Sequence, residues 1–143
     1  MQDLIRIRLI MKELSLKDKK LLLQDLCARL PYGVRVQYEN KIYNVDYISA
    51  LYEEVKLDTL DNYTISLSEI KPYLRPLSSM TKEEYEELRK IDKYYGIAPL
   101  SEINDWEPGY KSIDWLLKHN FDFRGLIEKG LAIEITKENS LYE

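Results

Sequence analysis

The residues that could carry chemistry are few, and most of them lie between Asp114 and Glu134. This stretch holds the single histidine, His119, flanked by Asp114 and Asp122, together with both phenylalanines and one of the two tryptophans. A histidine beside a carboxylate can act as a general base, because the carboxylate orients the ring and stabilises its protonated form. A hydrolase using His119 is therefore one reading. Against it, no serine or cysteine nears His119 in a nucleophile elbow, and one histidine cannot build a multi-histidine metal centre. A histidine at a helix C-terminus is also stabilised there by the dipole alone. The spacing thus names no catalytic residue, no metal site and no cofactor.

The other candidates are better explained by structure. Cys27 falls on the apolar stripe of a helix and reads as a small core residue. Glu83, Glu84, Glu86 and Glu87 crowd a helix start, where negative charge is favoured. Asp58, Asp61 and Asn62 lack the spacing of a calcium loop, and the glycines form no phosphate cradle. Seven of the 12 tyrosines fall between Tyr32 and Tyr73; small barrels use such aromatics to hold peptides or methylated groups, but tyrosine is also a favoured strand residue. Trp106 and Tyr110 are large aromatics in a loop. With Trp115 and Arg124, which should face that loop, they are the candidate binding residues.

Elements to position these groups can be drawn from caps and periodicity. Ser15 and Asp18 open a helix to about Leu30, with Leu22, Leu23, Leu26, Cys27 and Leu30 inward and Lys17, Lys19, Lys20 and Asp25 solvated. Residues 34–38 and 41–48 alternate around Glu39-Asn40 as a hairpin. Pairing Tyr38 with Lys41 sets Val36 against Tyr43 and Val34 against Val45, with Tyr32 near Tyr47, on the core face. Strands at 53–57 and 63–67, a helical turn at 68–72 and an extended piece at 73–76 complete a small antiparallel SH3-like barrel or sheet. Thr81 and Glu84 form a capping box, with Met80 and Tyr85 as a staple, for a helix ending at Gly96. Ser112 should cap another helix. Asp122 should cap a short one, stapled by Phe121 and Leu126 and stopped by Gly130 before a strand at 131–135. The expected class is α+β: residues 1–11 an extension or edge strand, 12–76 a helix plus β-domain, and 77–143 a helical region packed on it.

The chain of 143 residues is long enough to bury a core without disulfides. Its net charge of -4 argues against a broad phosphate-binding surface. Residues 1–40 carry 8 basic and 5 acidic groups; any contact with nucleic acid would favour that end. One cysteine fits a reducing, cytoplasmic compartment, and no apolar run is long enough to span a membrane.

Three segments, LLLQDLCARLPYGV (21–34), IKPYLRPLSSMT (70–81) and FDFRGLIEKGLA (121–132), resemble an uncharacterised family of small proteins encoded by Bacteroides-type gut bacteria, often in prophage or other mobile regions. Members begin near the position of Met11, which implies that residues 1–10 are an extension. The resemblance implies a mobile-element context and assigns no functional residue. The expected function is that of a non-enzymatic accessory protein making contacts with a protein partner through the β-domain and the aromatic loop. A nucleic-acid adaptor is the first alternative and the His119 hydrolase the second.

Overall fold

The computed structural model describes residues 14–91 and 97–139. The strand reading of residues 1–11 and the helix stop at Gly96 lie outside them. Helix α1 (Leu16–Arg29) starts where the Ser15 hydroxyl accepts from the Asp18 amide at 3.1 Å. A capping bond of this kind contributes about 1 kcal/mol. A single 3-10 turn, Leu30–Tyr32, follows, and Gly33 leaves it at φ +93°.

Strands β1 (Arg35–Tyr38) and β2 (Lys41–Ser49) then form the hairpin in the register that alternation demands, Tyr38 with Lys41 and Val36 with Tyr43. Glu39 and Asn40 both have positive φ, +48° and +63°, as a two-residue hairpin turn with right-handed strand twist requires. The Val45 amide also donates to the Val34 carbonyl, 2.9 Å. Tyr47 departs from expectation. The register with β3 (Glu54–Leu57) shifts between Val45 and Tyr47, and this bulge turns Tyr47 out to half exposure while Ile48 packs against the core.

Strand β4 (Ile65–Ser66) pairs with β3, a 3-10 turn spans Leu67–Glu69, and β5 (Lys71–Pro76) returns antiparallel to β1. Beyond the 3-10 turn Leu77–Ser79 come α2 (Lys82–Ile91), the 3-10 segment Leu100–Asp105, α3 (Tyr110–Lys118) and two short strands, β6 (Phe121–Asp122) and β7 (Ile133–Glu134). Both short strands lie parallel to β5, β7 at Tyr73 and Leu74 and β6 at Arg75 and Pro76.

The class is α+β, and the β-part is an open mixed sheet of seven strands among the described residues, in the order β4-β3-β2-β1-β5-β6 with β7 also on β5. It is not an SH3-like barrel, nor purely antiparallel. Closure fails because β4 is two residues long and pairs only with β3, while β6 and β7 arrive from the C-terminal region to pair with β5. The sheet therefore crosses the boundary drawn at Pro76.

Two apolar clusters hold the molecule together. In the larger, Leu22 and Leu26 of α1 pack on Val36, Val45, Val55, Leu57, Ile65 and Leu74 with Leu126, Leu131 and Ala132. In the smaller, Leu77, Met80, Leu88, Ile103, Trp115, Leu116 and Phe121 meet. Phe121 and Leu126 fall in different clusters, so they do not staple a helix.

Local signals explain several ends. Thr81 and Glu84 exchange their capping bonds at 3.0 and 3.1 Å, and Met80 and Tyr85 share the smaller cluster. Helix α3 begins at Tyr110 behind Gly109, and Ser112 is buried in its first turn rather than capping it; the Ser112 amide already donates to the Gly109 carbonyl. Asp122 caps no regular helix. Its oxygens accept from the Leu126 and Ile127 amides at 3.0 and 2.9 Å, shaping a single turn. That turn closes on Gly130 at φ +74°, with bonds from Gly130 to Ile127 and from Leu131 to Leu126, the Schellman pattern. Among the described residues no helix is long and apolar enough to cross a membrane.

Candidate functional site

The polar chemistry of this protein converges on Asp25. Residues Leu22, Asp25, Leu26 and Arg29 recur at three- and four-residue spacing, and it is this stripe of α1 that is buried. Asp25 is thus not solvated; it and Arg29 are both completely buried. Cys27 lies off the stripe and is exposed, and the partial desolvation of its thiol raises its pKa, which makes it a weaker nucleophile. The signal for the true stripe was the i, i+4 spacing of Asp25 and Arg29, which lets a carboxylate and a guanidinium pair along one helix face.

The Arg29 guanidinium grips Asp25 through Nε at 2.7 Å and Nη2 at 3.2 Å, and its Nη2 also donates to the Phe121 carbonyl at 2.7 Å. Arg124 reaches the same carboxylate from the C-terminal region, Nη1 to Oδ1 at 2.8 Å. Phe123 is contacted by both cations, its ring 5.7 Å from the Arg29 guanidinium carbon and 4.7 Å from that of Arg124. One carboxylate therefore serves two guanidinium groups, and Nη1 of Arg29 is buried without a hydrogen-bond partner. A buried pair of this kind ties elements together rather than adding much net stability.

A second constellation surrounds Phe121. Its ring stacks against Trp115 at 5.7 Å and 13°, and the Arg75 guanidinium lies 4.2 Å from its centroid. Arg75 in turn holds Glu84 with two bonds of 2.7 and 2.8 Å. Those bonds are the main cause of a Glu84 pKa below its ordinary value; the Thr81 bonds add to the effect and desolvation opposes it. The unfolded chain then binds this proton more readily than the folded one. The stabilisation is present above the unfolded carboxylate value and is lost as pH falls through the folded one. Arg75→Met should accordingly unfold at lower urea than wild type at neutral pH, and the gap should narrow on acidification; a gap constant with pH would contradict the pairing.

The candidate residues do not assemble into one site. Trp115 is buried, with Nε1 donating to Glu87 at 3.1 Å, and Trp106 packs half-buried on the same cluster. Tyr110 is 70% exposed at the start of α3, whereas Arg124 points to α1. His119 closes α3 and packs against Trp115, centroids 4.2 Å apart and rings inclined at 36°. Both oxygens of Asp122 accept from backbone amides. Among the described residues no group of three or more histidine, cysteine or acidic side chains could hold a metal ion.

Among the large apolar side chains left exposed, two adjacent ones lie at an end of the β-sheet. The connection from β2 to β3 presents Leu51 at 82% and Tyr52 at 71% exposure. The Lys19–Glu53 ion pair, 3.8 Å, ties the first turn of α1 to this connection. No family model matches the chain, and no curated protein or solved structure is similar to it.

Proposed function

We propose that this protein is a non-enzymatic, cytoplasmic accessory protein of phage or mobile-element origin, acting through protein contacts made at the β2–β3 end of its sheet. The observation that carries this reading is the pair Leu51 and Tyr52, two large apolar side chains left almost wholly in water on adjacent positions. Adjacent side chains of this kind favour burial against a partner. The charged groups do not compete as a site, because Asp25, Arg29, Arg75 and Glu84 are paired with one another inside the fold.

Capture from host cells with wild-type protein and with the double variant Leu51→Glu, Tyr52→Ser tests it. The expected result is a protein partner retained by wild type and lost by the variant, with circular dichroism unchanged. Equal retention by both would overturn the reading. So would tight binding to labelled DNA or RNA that falls steeply with salt, the behaviour of a phosphate-binding adaptor.

A further inference from the structure

The connection that carries Leu51 and Tyr52 is held in shape by more than its own length. Ser49 pairs with Glu54 as the last rung between β2 and β3, which leaves residues 50–53 as the tip of a hairpin. Across that tip the Tyr52 amide donates to the Ser49 hydroxyl at 3.3 Å. Glu53 closes it at φ +53°, a left-handed conformation that costs free energy in any residue with a Cβ. Two contacts from elsewhere hold Glu53 there. The Leu67 amide donates to its carbonyl at 3.1 Å, and its carboxylate pairs with Lys19 of α1. Strain kept in place by surrounding structure is a mark of a segment with a use. Here its effect is to present two large apolar side chains, 82% and 71% exposed, on a fixed turn.

The charges next to the tip are of one accessible sign. Lys17 and Lys20 are exposed and lie within one helical turn of Lys19, which touches the tip through Glu53. They stand at the start of α1, where the helix dipole adds to positive potential. The nearby acids are less available: Asp18 is half-buried, Glu53 holds Lys19, and Glu54 accepts from the Thr64 hydroxyl. The chain carries a net charge of -4, so this corner runs against the sign of the whole.

We infer that residues 50–53 form a preshaped plug: Leu51 and Tyr52 enter an apolar hollow in a protein partner, and carboxylates on the rim of that hollow meet Lys17 and Lys20. Ser49 and Glu53 are positioning residues. The inference rests on the proposed contact at this end of the sheet and specifies its partner. A narrow projecting tip buries its side chains in a concavity rather than on a flat face, and a large rigid tyrosine is a favoured anchor for such a pocket. Because the turn is already fixed, little order is lost on binding. The lysines add attraction at the rim, where charge raises the association rate and sharpens the choice of partner.

The test measures binding of the captured and purified partner to the full chain at low and at raised salt. Capture alone does not support the plug. Lys17→Glu with Lys20→Glu should weaken binding about tenfold at low salt, chiefly through slower association, and raised salt should erase the difference. Ser49→Ala should weaken it severalfold with an unchanged urea midpoint, and Ser49→Thr, which keeps the hydroxyl, should restore it. If the lysine variant binds as wild type does while Leu51→Glu, Tyr52→Ser loses the partner, the acidic rim is overturned and the contact stands. Full binding by Ser49→Ala overturns the fixed turn. No partner for wild type overturns both proposals. Two further arms exclude other occupants: lysine-dependent binding to phosphatidylserine vesicles, or self-association in sedimentation that is lost with Leu51→Glu, would replace the protein hollow by a lipid surface or a second copy.

Discussion

Replacing Asp25 with alanine should remove about 3–5 kcal/mol of stability, the cost of leaving buried charge without its partner. Arg29 is completely buried, and both of its described carboxylate bonds go to Asp25. The substitution strands that cation and releases Arg124 together. A domain of this size is stable by only about 5–15 kcal/mol, so the variant should sit close to unfolding. Urea denaturation measures it directly: the midpoint should fall with the slope unchanged. The double variant Asp25→Leu, Arg29→Met should be more stable than Asp25→Ala alone, since it removes the orphaned charge rather than creating one. If the double variant were the weaker, the carboxylate would be a minor contact. Arg124→Met should cost less than Asp25→Ala, because Arg124 keeps partial contact with water and Asp25 would retain Arg29.

The second large effect should come from Phe121→Ala, again about 3–5 kcal/mol, through lost burial and the cavity left behind. Phe121 is wholly enclosed, stacks on Trp115 and supports the Arg75 guanidinium. Its backbone is equally engaged, pairing with Arg75 in β6 and accepting from Arg29. Only the side-chain part is lost in the alanine variant, so the hydrogen-bonded framework should persist in a loosened core. Trp115 emission should shift to longer wavelength and near-ultraviolet dichroism should weaken. Phe121→Leu should recover much of the stability. Unchanged emission and an unchanged urea midpoint in the alanine variant would show that the stack contributes nothing.

The parts of this fold that could be read from the sequence are those fixed by neighbours. The Ser15 cap, the Thr81 and Glu84 box and the Gly130 stop each depend on a few consecutive residues. So does the Tyr38–Lys41 register, set by a two-residue turn. Tyr47 escaped because one bulge residue inverts every face beyond it. Asp25 escaped because apolar periodicity counts a carboxylate as solvated, whereas its burial rests on two guanidinium groups, Arg29 one turn along the helix and Arg124 99 positions away. The open sheet was hidden for the same reason. Two-residue strands such as β6 and β7 have no pattern of their own and exist only because β5 is there to pair with. Of the candidate residues, Trp115 and Arg124 have positions explained by packing and ion pairing, and Tyr110 alone stands well out in water.

The parallel partners of β5 also set the order in which this molecule can be completed. Strands β1 to β4 are joined by short turns and can pair as soon as they leave the ribosome. The β6 and β7 partners of β5 are synthesised only after α2 and α3, and the Arg29 bond to Phe121 spans 92 positions. Contacts of such separation form late and slow the search for the native state. During that interval the apolar face over which Leu126, Leu131 and Ala132 finally close is open to water. A chain interrupted before Phe121 would keep its hairpin yet expose this surface permanently, and aggregation rather than a smaller folded domain is the fate that the topology dictates.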